Sequence, residues 1–301
     1  MKLSKKVFEV DRVLNGVIPI GDDQCRFDYE QLELAIKDVV KEKLHDENAV
    51  MADMGSDNVP TFVVATKAFH VDGPPTLFRS YQCQGYSPNQ CAIWEAARAT
   101  SAAPTFFKPI KIEISQLGAT FIDGGLAYNN PAELALSDAQ RIWTSAKRFC
   151  LVSVGTGRLK SVRVVDIQSA GAKESYSSDQ SVSWWIPNIN IATRIPSGLT
   201  ALKKIADACV ELTTNSEPVH QRLLKVALSA DTEKKFPYHR FNVERDMQDI
   251  GLQEWFKMEE IAAHTAAYME EGEGELKKNK CVQDLMSPPD IECKKTTCYR
   301  S

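Results

Sequence analysis

Asp123 closes a short apolar run, Thr120-Phe121-Ile122, and is followed at once by Gly124 and Gly125. A carboxylate leaving a strand on a glycine turn is a common way for an α/β enzyme to present a proton acceptor, because glycine permits a turn that side-chained residues do not tolerate cheaply. Most Asp-Gly-Gly triplets are only turns, so the neighbours decide. Upstream, Ala96, Ala97, Ala99, Ala102 and Ala103 predict a small-residue helix able to approach a sheet closely, stopped by Pro104. Downstream, Asn130 is placed to cap a helix whose first residue is Pro131.

Ester chemistry at such an acid also needs an activated hydroxyl and donors for an oxyanion. The strained elbow that presents a serine reads G-x-S-x-G, and no such pentapeptide occurs in the chain. The nearest imitation, Ser153-Val154-Gly155-Thr156-Gly157, lacks the leading glycine and places its serine inside a strand. It reads as a structural turn. The five histidines, at positions 45, 70, 220, 239 and 264, show no metal-ligand spacing and suit surface or packed roles; no metal site is expected. Arg98 is expected to form a structural ion pair with a carboxylate near the Asp123 turn, and Ser101 to serve helix packing. Trp184-Trp185, with Ile186-Pro187, is either packed in a loop or an interfacial lipid contact.

The elements that must hold these residues alternate. Asp28-Tyr29-Glu30-Gln31 fits a capping box before a helix carrying Leu32, Ile36, Val39, Val40 and Leu44. Thr61–Thr66 is a β-prone run expected to be buried on both faces. Leu77–Tyr81, Ile110–Ile114 and Ala119–Ile122 are further strands. Pro131–Trp143 is a helix, and Phe149–Val154 reads as a central strand. Ser169–Ser183 has the composition of a mobile loop. Helices are expected over Leu199–Leu212, Val219–Leu228 and Leu252–Met269, with a late strand over Tyr238–Val243. The fold class is α/β, three-layered, with a mostly parallel sheet and helices on both faces.

Hydrophobic residues at 43%, charged residues at 25% and a net charge of −4 describe an ordinary globular chain with no general attraction to nucleic acid. Eight scattered cysteines suit reduced thiols in a cytoplasmic setting. No window reaches the ~20 apolar residues that span a bilayer, so any membrane contact is expected to be peripheral.

AARATSAAPTFF followed by IDGGLAYNNP and a helix strongly resembles the patatin-like phospholipase family, in its fungal members above all, from about Val7 to Lys280. The resemblance implies that Asp123 is the acid of a Ser–Asp dyad, that Gly124 and Gly125 form its motif turn, and that no cofactor is needed. It implies ester hydrolysis of phospholipids or neutral acyl lipids through an acyl-serine. The family's G-G-G-x-[RK]-G oxyanion segment is absent, since Gly124 and Gly125 are the only adjacent glycines. The family's LSKKVF-like segment closes the region after the nucleophile helix, so the serine is expected before residue 1, in a chain lacking the N-terminal strands. The expected division is a partial acyl hydrolase domain at 1–245, a helical extension at 246–280 and a disordered tail at 281–301. The rival reading is a non-catalytic interaction or regulatory module of an immune-receptor-like protein.

Overall fold

The computed structural model describes residues 2–11, 25–53, 58–83, 85–86, 90–114, 118–146, 148–157, 215–229, 236–243, 247 and 250–287. The loop expected over 169–183, the helix over 199–212 and the Trp184-Trp185 pair lie outside them.

Among the described residues, helices α1 (Lys2–Phe8) and α2 (Tyr29–Leu44) precede strands β1 (Phe62–Lys67) and β2 (Thr76–Arg79). Then come α3 (Ile93–Thr100), β3 (Ile110–Ile112), β4 (Ala119–Asp123), a single-turn α4 (Gly125–Tyr128), α5 (Ala132–Ile142) and β5 (Leu151–Val154). The last elements are α6 (Glu217–Leu228), β6 (Tyr238–Phe241), α7 (Met258–Glu270) and α8 (Gly272–Met286). Helix α2 starts where it was read, with Asp28 as its N-cap, but the cap is a bond from the Glu30 N–H to Asp28 Oδ1 at 2.9 Å rather than the box expected with Gln31. Helix α3 ends at Thr100, before Pro104 is reached. Helix α8 runs through Met286, past the Lys280 boundary drawn for the helical extension.

The α/β class holds, but the described strands do not make a mostly parallel sheet. Four strands in the order β2-β1-β4-β3 pair antiparallel throughout, and only β5 and β6 pair parallel. Short connections account for the β1–β2 and β3–β4 pairs. Strand β1 turns into β2 within the segment holding Pro74-Pro75, and β3 turns into β4 at Gly118, whose φ is +60°. Connections of that length return the chain beside itself, whereas a parallel neighbour needs a crossover of a dozen residues or more.

Strand β1 sits inside the four-stranded sheet and buries three successive residues, Val64, Ala65 and Thr66, as a strand covered on both faces must. Helix α3 supplies the cover on one side. Its Ala96 and Ala99 are buried against Ala65, Phe78, Ile112 and Phe121, with the Phe78 and Phe121 rings edge to face at 5.2 Å. Small side chains let the helix axis come close, which is why the alanine run packs here. A second core joins α1 and α2 through Val7, Phe27, Leu32, Ala35 and Phe107. A third ties α5 and α6 to β5 and β6 through Ala132, Leu223 and Phe236.

Arg98 is fully buried between these cores. Its guanidinium donates to the Lys108 carbonyl, lies 3.5 Å from Glu33 of α2 and sits over the Tyr29 ring at 5.6 Å. Burial pulls its pKa down, against the pull of Glu33. The ion pair is structural, as expected, but its partner is on α2 rather than at the Asp123 turn.

Candidate active site

Asp123 is the last residue of β4, opposite Ala65 of β1, and its N–H donates to the Ala102 carbonyl at 3.0 Å. The end of the strand is thereby fixed to the segment leaving α3. The carboxylate is partly buried. Oδ1 accepts the Gly125 N–H at 2.7 Å, while Oδ2 takes no hydrogen bond among the described residues. Burial raises the pKa of this group and the Gly125 N–H opposes the rise. One oxygen is anchored and the other is open, on an acid whose charged form is under-solvated. Such a group can accept a proton.

Each of the two glycines leaves room for a neighbour, Gly124 for the Val64 carbonyl and Gly125 for the Asp123 carboxylate. Gly124 has φ −67° and ψ −20°, an ordinary right-handed conformation. A β-carbon there would stand 2.4 Å from the Val64 carbonyl oxygen. The expectation that these glycines supply an otherwise forbidden turn is corrected: close approach of β4's end to β1 is what demands glycine. Gly125 opens α4, and a β-carbon on it would stand 3.1 Å from Asp123 Oδ1. The same Val64 carbonyl accepts the Thr100 hydroxyl at 2.6 Å, tying α3 to β1 beneath the turn. Thr100→Val removes that donor at nearly constant volume. It is expected to cost about 1 kcal/mol, read as a lower urea midpoint with unchanged m-value.

Asn130 holds the next segment. Its Oδ1 accepts the Ala132 N–H at 3.3 Å, so α5 begins one residue later than read, and its Nδ2 donates to the Ser216 carbonyl at 3.3 Å. Ser153 is buried in β5; its hydroxyl accepts from Arg240 Nη1 at 2.7 Å and donates to Asn130 Oδ1 at 3.4 Å. A guanidinium and an amide cannot take its proton, so this serine is structural. A β-carbon on Gly155 would lie 2.2 Å from Asn242 Oδ1, and Gly157 has a φ of +114° that favours glycine.

No histidine contacts Asp123 among the described residues. His239 is buried against Asp284 of α8 at 2.9 Å, and His220 meets the Tyr238 hydroxyl at 3.0 Å. The described residues contain no group of three or more potential metal ligands and no helix long and apolar enough to cross a membrane. Cys83, Cys91, Cys150 and Cys281 are free thiols, and burial first, then Glu95, pushes Cys91 up to about 11.

Two features escaped the sequence reading. One is the Arg240–Ser153–Asn130 chain just described. The other is a buried cluster in which Asp138 of α5 accepts from Arg79 of β2 at 2.6 Å and from the Tyr81 hydroxyl at 2.7 Å. Beside it lies a small apolar cleft of about 220 Å³ lined by Phe62, Leu136, Ile142, Trp143, Phe149 and Leu151 among others. Asp123 lines neither this cleft nor a larger one between α6, β6 and α8.

Residues 20–136 match a family model described as patatin-like phospholipase. Over 92% of its length the chain is similar to the Calcium-independent phospholipase A2-gamma of Rattus norvegicus, at 27% identity across 294 residues and 31% of that relative. The Oryctolagus cuniculus form is 30% identical across 292 residues, covering 92% of the chain and 30% of the relative. Phospholipase A I of Arabidopsis thaliana is 26% identical over 156 residues, 40% of the chain and 12% of that relative. The chain thus spans less than a third of the length of these relatives.

Proposed function

We propose, for a chain that belongs to the patatin-like phospholipase family, that it forms the acid-bearing part of a lipid acyl hydrolase. Asp123 is the base of a Ser–Asp dyad, and Gly124 and Gly125 hold it in place. On this reading the serine and the oxyanion segment are supplied from outside these 301 residues, which hold neither G-x-S-x-G nor G-G-G-x-[RK]-G. The single supporting observation is the asymmetric carboxylate: Oδ1 tied to the Gly125 N–H, Oδ2 open, and the pKa raised by burial.

In the reaction Asp123 Oδ2 takes the serine proton as the serine oxygen bonds to the ester carbonyl carbon. The proton then passes to the departing alkoxide, which leaves as a lysolipid or acylglycerol. Water, deprotonated by the same carboxylate, releases the fatty acid and restores the serine. The residues need only position and accept a proton, and the chemistry uses no metal or organic cofactor. On this reading residues 1–245 belong to the hydrolase domain, and the helices that follow, through Met286, extend it. The missing strands complete a three-layer, mostly parallel sheet. The substrate is met at a membrane surface on the cytoplasmic side.

The reading frame upstream of Met1 is expected to encode a G-x-S-x-G elbow, and the longer product to hydrolyse phospholipid vesicles. Asp123→Asn in that product should lower kcat at least about 100-fold with little change in KM. Undiminished turnover by that variant would refute the dyad.

The same substitution has a stability signature. A carboxyl with a raised folded pKa stabilises the fold when protonated, below its ordinary value of 3.8, and that contribution is lost as pH rises through the folded value. At neutral pH the ionised group therefore opposes folding. Asn keeps the bond to the Gly125 N–H without the charge, so Asp123→Asn should melt higher than the parent at pH 7, with the gap closing below pH 3.8. A lower melting point at pH 7 would count against the desolvated base.

A further inference from the structure

The cleft between α6, β6 and α8 has a volume of about 790 Å³, and Asp123 is not part of it. It falls within the range of small-molecule sites, roughly 300–1,000 Å³. Its walls differ in character. Leu224, Ala227 and Leu228 of α6, with Phe236 just before β6, make one side apolar, and Leu228 is left 72% exposed there. The facing side is set by charge: Lys277 and Lys280 on successive turns of α8, joined by Arg148 from the approach to β5.

The carboxylates of that facing side are already engaged. Glu273 holds Lys277 at 2.6 Å, and Asp284 is shared between His239 at 2.9 Å and Arg148 at 3.5 Å. Lys280 is exposed and has no ion-pair partner among the described residues. Glu217, the remaining acid of the lining, sits at the first turn of α6 rather than on α8. An apolar wall with Leu228 exposed thus shares the cleft with a cation that has no ion-pair partner among the described residues.

We propose that this cleft binds a fatty-acid anion, with the alkyl chain on the α6 strip and the carboxylate at Lys280. Apolar burial supplies the attraction, and the single charge sets the direction in which the chain lies. The identification of the ligand's source rests on the reading above, since a fatty acid is what an acyl hydrolase releases; the binding itself does not. A site separate from Asp123 would retain product away from the dyad.

The test uses the 301-residue chain, which needs no nucleophile to bind. Dodecanoate, kept below its micellar concentration, is titrated against a bound fluorescent fatty acid, with 1-dodecanol as the neutral counterpart. Dodecanoate should displace the probe at least about 5-fold more tightly than the alcohol, and Lys280→Glu should erase that difference. Leu228→Asp, at a position exposed enough not to threaten folding, should weaken both ligands. Asp123→Asn should alter neither titration. Equal affinity of acid and alcohol for the parent chain, indifference to Leu228→Asp, or loss of binding with Asp123→Asn would each overturn the assignment. None of these results depends on whether the longer product hydrolyses lipid, so the two readings fail separately.

Discussion

Gly124→Ala is expected to lower the thermal midpoint by roughly 6–12 °C, from a cost of about 3 kcal/mol at the 2–4 °C per kcal/mol typical of chains of this size. The new β-carbon lands 2.4 Å from the Val64 carbonyl oxygen and 2.7 Å from its carbon, both backbone atoms. No rotamer change can relieve a backbone contact. Strand β1 must move, yet it is hydrogen-bonded on both edges, by β2 and β4, and its Val64 carbonyl also accepts the Thr100 hydroxyl. Backbone preference argues the other way. At φ −67° alanine is at ease, and replacing glycine there would ordinarily stabilise by about 0.4–1 kcal/mol through the unfolded chain. The contact outweighs that gain several-fold. Gly125→Ala is the matched comparison: its β-carbon comes close to the Asp123 carboxylate, 3.1 Å away, which can rotate, and meets Asn129 Oδ1 at an ordinary 3.8 Å. It should cost under about 1 kcal/mol in stability while disturbing the carboxylate's bond to the Gly125 N–H. A Gly124→Ala protein melting within 2 °C of the parent would show that β4's end is not pinned against β1.

This pair also shows what could and could not be read from the chain. That Asp123 ends a strand and precedes two glycines was legible, because an apolar run followed by glycine is a local pattern. Why glycine is required was not, because the clashing atom belongs to Val64, sixty residues earlier. The alanine helix was legible for the same local reason, and so was the cap at Asp28. Strand direction was not: alternation of strands and helices suggested parallel pairing, and the hairpin closures around Pro74-Pro75 and Gly118 are short enough to reverse it. Arg98 was read as an ion-pair former near the acid turn, but its partner, Glu33, lies on a helix from another part of the chain. Pairings over long sequence distance leave no trace in spacing. Ser153 is the opposite case. Its lack of a leading glycine marked it as structural, and the Arg240 and Asn130 contacts agree.

Asp138→Ala is expected to cost about 3–5 kcal/mol, since it takes the carboxylate from a buried guanidinium rather than merely deleting a contact. Arg79 and Asp138 have side chains only 8% and 4% exposed, and the Tyr81 hydroxyl shares the same carboxylate oxygen that Arg79 Nε reaches at 2.6 Å. The cluster joins the outer strand β2 to helix α5, the helix that follows the Asp123 turn. Removing the acid takes away the carboxylate that the buried Arg79 guanidinium reaches through Nε and Nη2, and leaves that guanidinium beside the Tyr86 ring and the Arg141 cation. Arg79→Met combined with Asp138→Leu should therefore recover most of the loss, and a double variant as unstable as Asp138→Ala alone would contradict an origin in the guanidinium's lost carboxylate. The pH dependence separates charge from packing. Burial by itself would raise the Asp138 pKa, but the bonds from Arg79 and Tyr81 overcome it and hold the carboxyl below its ordinary 3.8. Its stabilisation is thus complete above pH 3.8 and is lost as pH falls through the lower folded value. Asp138→Asn should accordingly flatten the acid limb of the stability curve below pH 3.8. At the other extreme, burial and then the bond to Asp138 raise the Tyr81 pKa above its ordinary 10, so the hydroxyl remains a donor past that pH and the cluster survives mild alkali. An unchanged acid limb in Asp138→Asn would mean that the carboxylate is not the ionised partner its geometry requires.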